Sequence, residues 1–120
     1  MSESQWILSI VTSFYDKAKS DILIGYHFRF IKDFDEHIPR IAIFWEQQLL
    51  TTTLQKVVPP FDMIKAHIPL GIKRGEIGRW LVLFRKTLTE KSDPQFEGLA
   101  TLWNERLTLF EGIFLRFLRL

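Results

Sequence analysis

The chain has no cysteine. That excludes a disulfide framework, a thiol nucleophile and any thiolate metal centre, and it suits a reducing cytoplasm, the compartment expected here. Charge of one sign is also scarce: 16 Lys and Arg stand against 14 Asp and Glu, with no dense basic run. A net charge of +2 gives no electrostatic footprint for nucleic acid, and none is expected as a partner. No apolar run approaches the roughly 20 residues that a helix needs to span a bilayer, so no stable membrane insertion is expected. The opening MSESQW has neither a basic n-region nor an apolar h-region, and no leader peptide is read in it. There is no GxGxxG loop for a nicotinamide or flavin and no HExxH pair for zinc. Internal repeats and low-complexity segments are lacking too.

What the chain does have is aromatic rings: 11 Phe, 4 Trp and 2 Tyr in 120 residues. That length suffices for one compact core and is too short for two, so a single domain over residues 1–120 is expected. So many large flat side chains need either a crowded core or a flat apolar guest.

Hydrophobic spacing predicts an all-α chain. From Gln5 to Ser20 the residues Trp6, Ile7, Ile10, Val11 and Phe14 fall on one helical stripe, with Ser4 as the expected cap. DILIGYHFRFIKDF follows as an apolar break, buried or pocket-lining, with Gly25 inside it. A second long helix is expected from about Glu36 to Leu50, with Pro39 in its first turn, where a missing N–H costs little. TTTLQKVVPPF reads as an extended connection, and DMIKAH as a short helix stopped by Pro69 and Gly71. A third long helix should run from Gly75 or Glu76 to Glu90. Ser92-Asp93-Pro94-Gln95 is a helix-start signature. The last helix would reach about Arg119, ~26 residues and ~39 Å if unbroken.

Three histidines carry the functional question: His27, His37 and His67. In DEHIPRIAIFWEQQL, His37 heads a stripe that continues through Ile41, Phe44 and Trp45. His67 follows Met63 and Ile64 by one turn on the short helix. Each histidine taken alone reads as a partly buried imidazole satisfied by backbone. Together they fit haem, which needs an axial imidazole, flat apolar walls, a cation for its propionates and controlled polarity on the open side. His67 can supply the imidazole. Phe28, Ile41, Phe44, Phe61 and Leu81 can supply walls. Arg40 can pair with a propionate. Tyr15, His37 and Trp80 can donate hydrogen bonds to a ligand. Against this stand plainer readings: an amphipathic-helix tyrosine at Tyr15, core rings at Phe28, Trp80 and Phe84, a solvated arginine at Arg40. His27 is read as structural or exposed.

The motifs SFYDKAKSD, GYHF, HIPRIAIFW, KAHIPLGI and RWLVLF occur in that order over about residues 10–90. In these the chain resembles the truncated haemoglobins, and within them the bacterial group III. The resemblance implies a single-domain truncated globin fold, a two-over-two helical sandwich around haem b. It places His67 as the proximal iron ligand, Tyr15 and Trp80 as distal hydrogen-bond donors, and His37 as the distal or gating histidine. Arg40 takes the basic position near the propionates and Phe28 the ring that wedges the haem. The implied function is reversible binding of O2, NO and CO, serving O2 or NO chemistry, detoxification or sensing rather than bulk transport. Oxidation of NO would require an external reductase. Two other readings stay open. One is a globin-fold sensor or interaction module with weak or no haem binding, motivated by the apolar LTLFEGIFLRFLRL, which is also a candidate homodimer face. The other is a weak peroxidase with His37 as acid and base.

Overall fold

A computed structural model describes residues 1–29, 31–50 and 65–120. Among them there is no strand, and the fold is all-α. Helix α1 spans Glu3–Ala18, α2 Gly25–Phe28, α3 Phe34–Leu50, α4 Arg74–Glu90 and α5 Glu97–Phe117. Two 3-10 turns, Ile68–Leu70 and Pro94–Phe96, precede α4 and α5. The extended reading of TTTLQKVVPPF and the start of the DMIKAH helix lie outside the described residues. No helix among the described residues is long and apolar enough to cross a membrane.

The expected α1 stripe is the observed one: Trp6, Ile7, Ile10, Val11 and Phe14 are all buried. The helix begins earlier than expected, because Ser2, not Ser4, caps it. The Ser2 hydroxyl accepts from the Gln5 amide at 3.1 Å and the Gln5 side chain accepts from the Ser2 amide at 2.8 Å, a reciprocal capping box. Helix α3 also begins early. The Asp33 carboxylate accepts from the Glu36 amide at 3.2 Å, and the His37 amide makes the first helical bond, 3.0 Å to the Asp33 carbonyl. Pro39 is therefore the sixth helical residue rather than a first-turn one, and the Asp35 carbonyl loses its helical donor. Both Asp35 and Pro39 are exposed, so water can replace that bond. The last helix is shorter than expected. Asp93 caps the 3-10 turn through the Gln95 amide at 2.9 Å, and α5 proper ends at Phe117.

The four long helices close on one another: α1 packs on α3 and α4, and α5 packs on α3 and α4. Helices α1 and α4 run in opposite directions, since Trp6 Nε1 donates to the Lys91 carbonyl at 3.1 Å while Asp21 pairs with Arg79 at 2.8 Å. The core between them is a continuous run of rings. Trp6 stacks on Phe96 and meets Trp103 edge-on. Trp103 meets Trp45 and Phe84, and Phe84 meets Phe14 with centroids 4.7 Å apart. Of the two alternatives for so many aromatics, a crowded core or a flat guest, the crowded core is present, and the C-terminal segment contributes Leu107, Phe110 and Phe114 to it.

Helix α2 lies against the end of α1. The Gly25 amide donates to the Asp21 carbonyl at 2.9 Å. A Cβ at Gly25 would come within 3.0 Å of the Lys19 carbonyl oxygen and 3.3 Å of that of Ala18. Only glycine allows this approach. Its result is that Phe28, three residues on, reaches the rings of Phe14 and Tyr15.

Candidate functional site

Tyr15 follows Phe14 near the end of α1, and His37 sits in the first turns of α3. The packing of α1 on α3 brings them together, with Tyr15 Oη 3.1 Å from His37 Nε2. Their rings meet edge-on, centroids 5.5 Å apart. Phe28 and Phe34 flank the Tyr15 ring at 5.4 and 6.1 Å. Trp80 on α4 lies one ring further, 6.2 Å from Phe14.

Burial sets the protonation of this pair. It pushes the Tyr15 phenol far above the ordinary tyrosine range, because a phenolate there would lose its hydration. It lowers the His37 imidazole below the ordinary histidine value, and the charges of Arg40 and His67 act in the same direction. Both side chains are neutral near pH 7, and the tautomer decides the bond. With Nδ1 protonated, the phenol donates to Nε2. With Nε2 protonated, the imidazole donates, and the phenol hydrogen is left to a third partner.

His67 ends the helical residues 65–67. Behind it the Ile68–Leu70 turn closes on Gly71, whose φ of +62° is left-handed and favours glycine. The His67 ring is partly buried, edge-on to Phe114 at 5.5 Å. Its charge is the smallest of the three causes that lower the His37 imidazole, and 30 residues separate the two histidines in sequence.

Of the residues read from the sequence, Tyr15, His37 and Phe28 form one cluster, with Trp80 beside it and His67 within electrostatic reach. Ile41 is partly buried one turn beyond His37. Phe44 packs toward α5, against Phe110 at 6.0 Å, and Leu81 is buried in the core. Arg40 is outside the cluster: its side chain is 71 % exposed and its guanidinium binds the Glu36 carboxylate one turn back. Phe61 lies outside the described residues. The donor set fits haem. One imidazole would serve as the protein ligand that haem requires, and a second imidazole with a buried neutral phenol would supply the controlled polarity. A propionate contact from Arg40 would require it to leave Glu36.

Two features escaped the sequence reading. Phe34 belongs to the cluster, and its spacing of three residues before His37 on one helix was the available signal. The other is a polar cluster of Tyr26, His27 and Glu76. His27 Nε2 is 3.1 Å from Glu76 Oε2, off the line of a good hydrogen bond, and the Tyr26 hydroxyl donates to the same oxygen. Burial pushes the Glu76 carboxyl up, but hydrogen bonds from Tyr26 and the Lys73 amide, with the His27 imidazole close by, outweigh this and hold it below the ordinary carboxylate value. The bond to Glu76 raises the Tyr26 phenol. No local spacing announces a cluster whose members lie about fifty positions apart.

No protein-family model matches this chain, nor does any curated protein or any solved structure.

Proposed function

We propose that this chain is a haem-binding truncated haemoglobin of the group III kind. In this reading it is a cytoplasmic two-over-two helical sandwich that holds O2, NO or CO for O2 or NO chemistry, detoxification or sensing. The observation that carries the reading is the 3.1 Å contact between Tyr15 Oη and His37 Nε2. It joins the two side chains that the resemblance assigns to one side of a haem, although they come from separate helices. The mutual packing of α1, α3, α4 and α5 supports it further.

His67 would hold the iron, with Phe28, Ile41, Phe44 and Leu81 as apolar surroundings and Arg40 as the propionate cation. Haem supplies an iron centre that takes diatomic ligands and exchanges electrons. The chain's own part is to keep Tyr15 protonated and His37 neutral by burial, so that a hydrogen bond is available without a charged group beside the guest. A donor that stays fixed is worth more in such an apolar site than in water. The phenol turns from His37 to a guest when the imidazole tautomer changes, a motion of one hydroxyl hydrogen. Phe28 and Phe34 pack edge-on against the Tyr15 ring beside that hydrogen bond. Sustained NO oxidation would draw electrons from an external reductase.

The test is titration of the purified chain with hemin. A saturable Soret band at about one haem per chain is expected. His67→Ala should abolish tight retention, and His37→Ala should keep it. A chain that gives no saturable Soret shift is not a haem protein, and this reading then fails.

A further inference from the structure

The turn between α1 and α2 carries the most exposed aliphatic side chain among the described residues. Ile22 is 94 % exposed, Leu23 beside it 58 %, and Tyr26 on the following turn 39 %. The three line one groove with Lys73, Gly75 and Glu76 from the start of α4. Exposed apolar side chains set together and rimmed by polar groups mark an interaction site.

The turn is built as a rigid tip. Asp21 Oδ2 accepts from the amides of Leu23 at 3.0 Å and Ile24 at 3.2 Å. Its other oxygen accepts from Arg79 Nε at 3.0 Å and Nη2 at 2.8 Å. The Asp21 carbonyl accepts from the Gly25 amide at 2.9 Å. The Arg79 guanidinium holds the Asp21 carboxyl below its ordinary range, so the bridge persists at neutral pH. The Leu23, Ile24 and Gly25 amides are therefore satisfied from within, which lowers the cost of bringing this turn into an apolar medium.

The charges around the tip have one sign left over. Asp21 is taken up by Arg79, and Glu76 by Tyr26, His27 and the Lys73 amide. Lys19 is paired with Asp16 at 3.3 Å. Lys73 and Arg74 are exposed, and no acidic side chain pairs with either among the described residues. A protruding aliphatic apex on a turn braced by Asp21, with a tyrosine collar and two uncompensated cations, matches the layering of an anionic membrane surface. A flat protein face would leave Ile22 without a cavity to enter.

We propose that the Ile22–Leu23 tip, with Tyr26, Lys73 and Arg74 around it, is a docking surface for an anionic lipid bilayer. The proposal is independent of haem.

Flotation with vesicles of phosphatidylcholine, with and without phosphatidylglycerol, tests it. The full chain should float with the anionic vesicles and not with the neutral ones, and about 1 M salt should release it. The pair Lys73→Glu, Arg74→Glu should weaken binding by about thirtyfold, and Ile22→Asp by roughly tenfold or more. Because the chain has no cysteine, Ile22→Cys can carry a single polarity-sensitive fluorophore. Its emission should shift to the blue on anionic vesicles, and that of Val82→Cys, an exposed site on α4, should not. Equal binding to neutral vesicles, full binding by Ile22→Asp, or a shift at position 82 in place of 22 each overturns the proposal. Failure to bind any vesicle also overturns it and leaves an acidic protein surface as the occupant.

Discussion

The phenol of Tyr15 and the imidazole of His37 are 3.1 Å apart and both uncharged near pH 7, since the packing of α1 on α3 buries the phenol and partly buries the imidazole. A neutral pair of this kind offers a hydrogen bond without a counterion. It also makes protonation of either partner expensive to change.

The first prediction follows from the phenol. O2 held beside Tyr15 would gain partial negative charge, and a hydrogen bond to a charged acceptor is worth ~1.5–3 kcal/mol. Tyr15→Phe should therefore speed O2 release from the reduced haem-loaded protein by roughly ten- to a hundredfold. Release of CO, which is less polar when bound, should change far less. Stopped-flow release rates measure both, and an O2 rate within about twofold of the parent would remove Tyr15 from the ligand side.

The second concerns pH. The folded chain lowers the pKa of His37, so the unfolded chain binds its proton first as pH falls. Stability from His37 is complete above the ordinary histidine value of about 6.5 and is lost below it. Asp21 and Glu76 are held below the ordinary carboxylate range, so their contribution persists until pH drops under about 4. Tyr15 is raised, so its contribution is lost on the alkaline side, above about 10. Urea midpoints measured between pH 7 and 5 should decline for the parent and flatten for His37→Leu. An unchanged slope in that variant would assign the acid sensitivity elsewhere.

A third prediction contrasts two glycines. Gly25→Ala drives a methyl to 3.0 Å from a backbone oxygen that cannot yield easily, and should destabilise the chain by about 1–3 kcal/mol. Gly112→Ala, in the open on α5 with nothing within 4 Å, should stabilise it by about 0.5–1 kcal/mol. Thermal unfolding of both variants checks the signs.

The fourth addresses the core. Trp103→Ala removes the ring on which Trp6, Trp45 and Phe84 converge and should cost about 3–5 kcal/mol, much of a typical domain's total stability. Trp103→Phe should cost less than about 1.5 kcal/mol. The Trp103 N–H is buried without a hydrogen-bond partner among the described residues, so its loss offsets some of the lost packing. Chemical denaturation of the two variants would separate them.

The helices were legible in the sequence because an apolar stripe is a local pattern. The α1 stripe from Trp6 to Phe14 and the end of α4 at Glu90 both lie where spacing put them. Helix starts were read less well. Ser2, Asp33 and Asp93 each had a plausible rival one or two residues away, and only the cap hydrogen bonds choose between them. Within the site, Tyr15, His37 and Phe28 could be named from motifs, but their meeting depends on α1 docking on α3 and on Gly25 letting α2 close. Arg40 shows the opposite case: one turn of helix gives it Glu36, a nearer carboxylate than any propionate. The Glu76 cluster was invisible, because nothing in a local window marks a carboxylate that reaches back some fifty residues to α2.

The ring chain through the core also fixes how the molecule interacts with light. Trp103 lies 5.9 Å from Trp6 and 5.3 Å from Trp45, while Trp80 meets only phenylalanine rings among the described residues. Three indoles at such separations absorb as one coupled chromophore, and the coupling lasts only while α1, α3 and α5 stay docked. The fourth indole takes no direct part in that cluster and packs on Phe14 and Phe84 instead. The chain therefore carries a built-in optical reporter, a near-ultraviolet dichroism signal for the packed core.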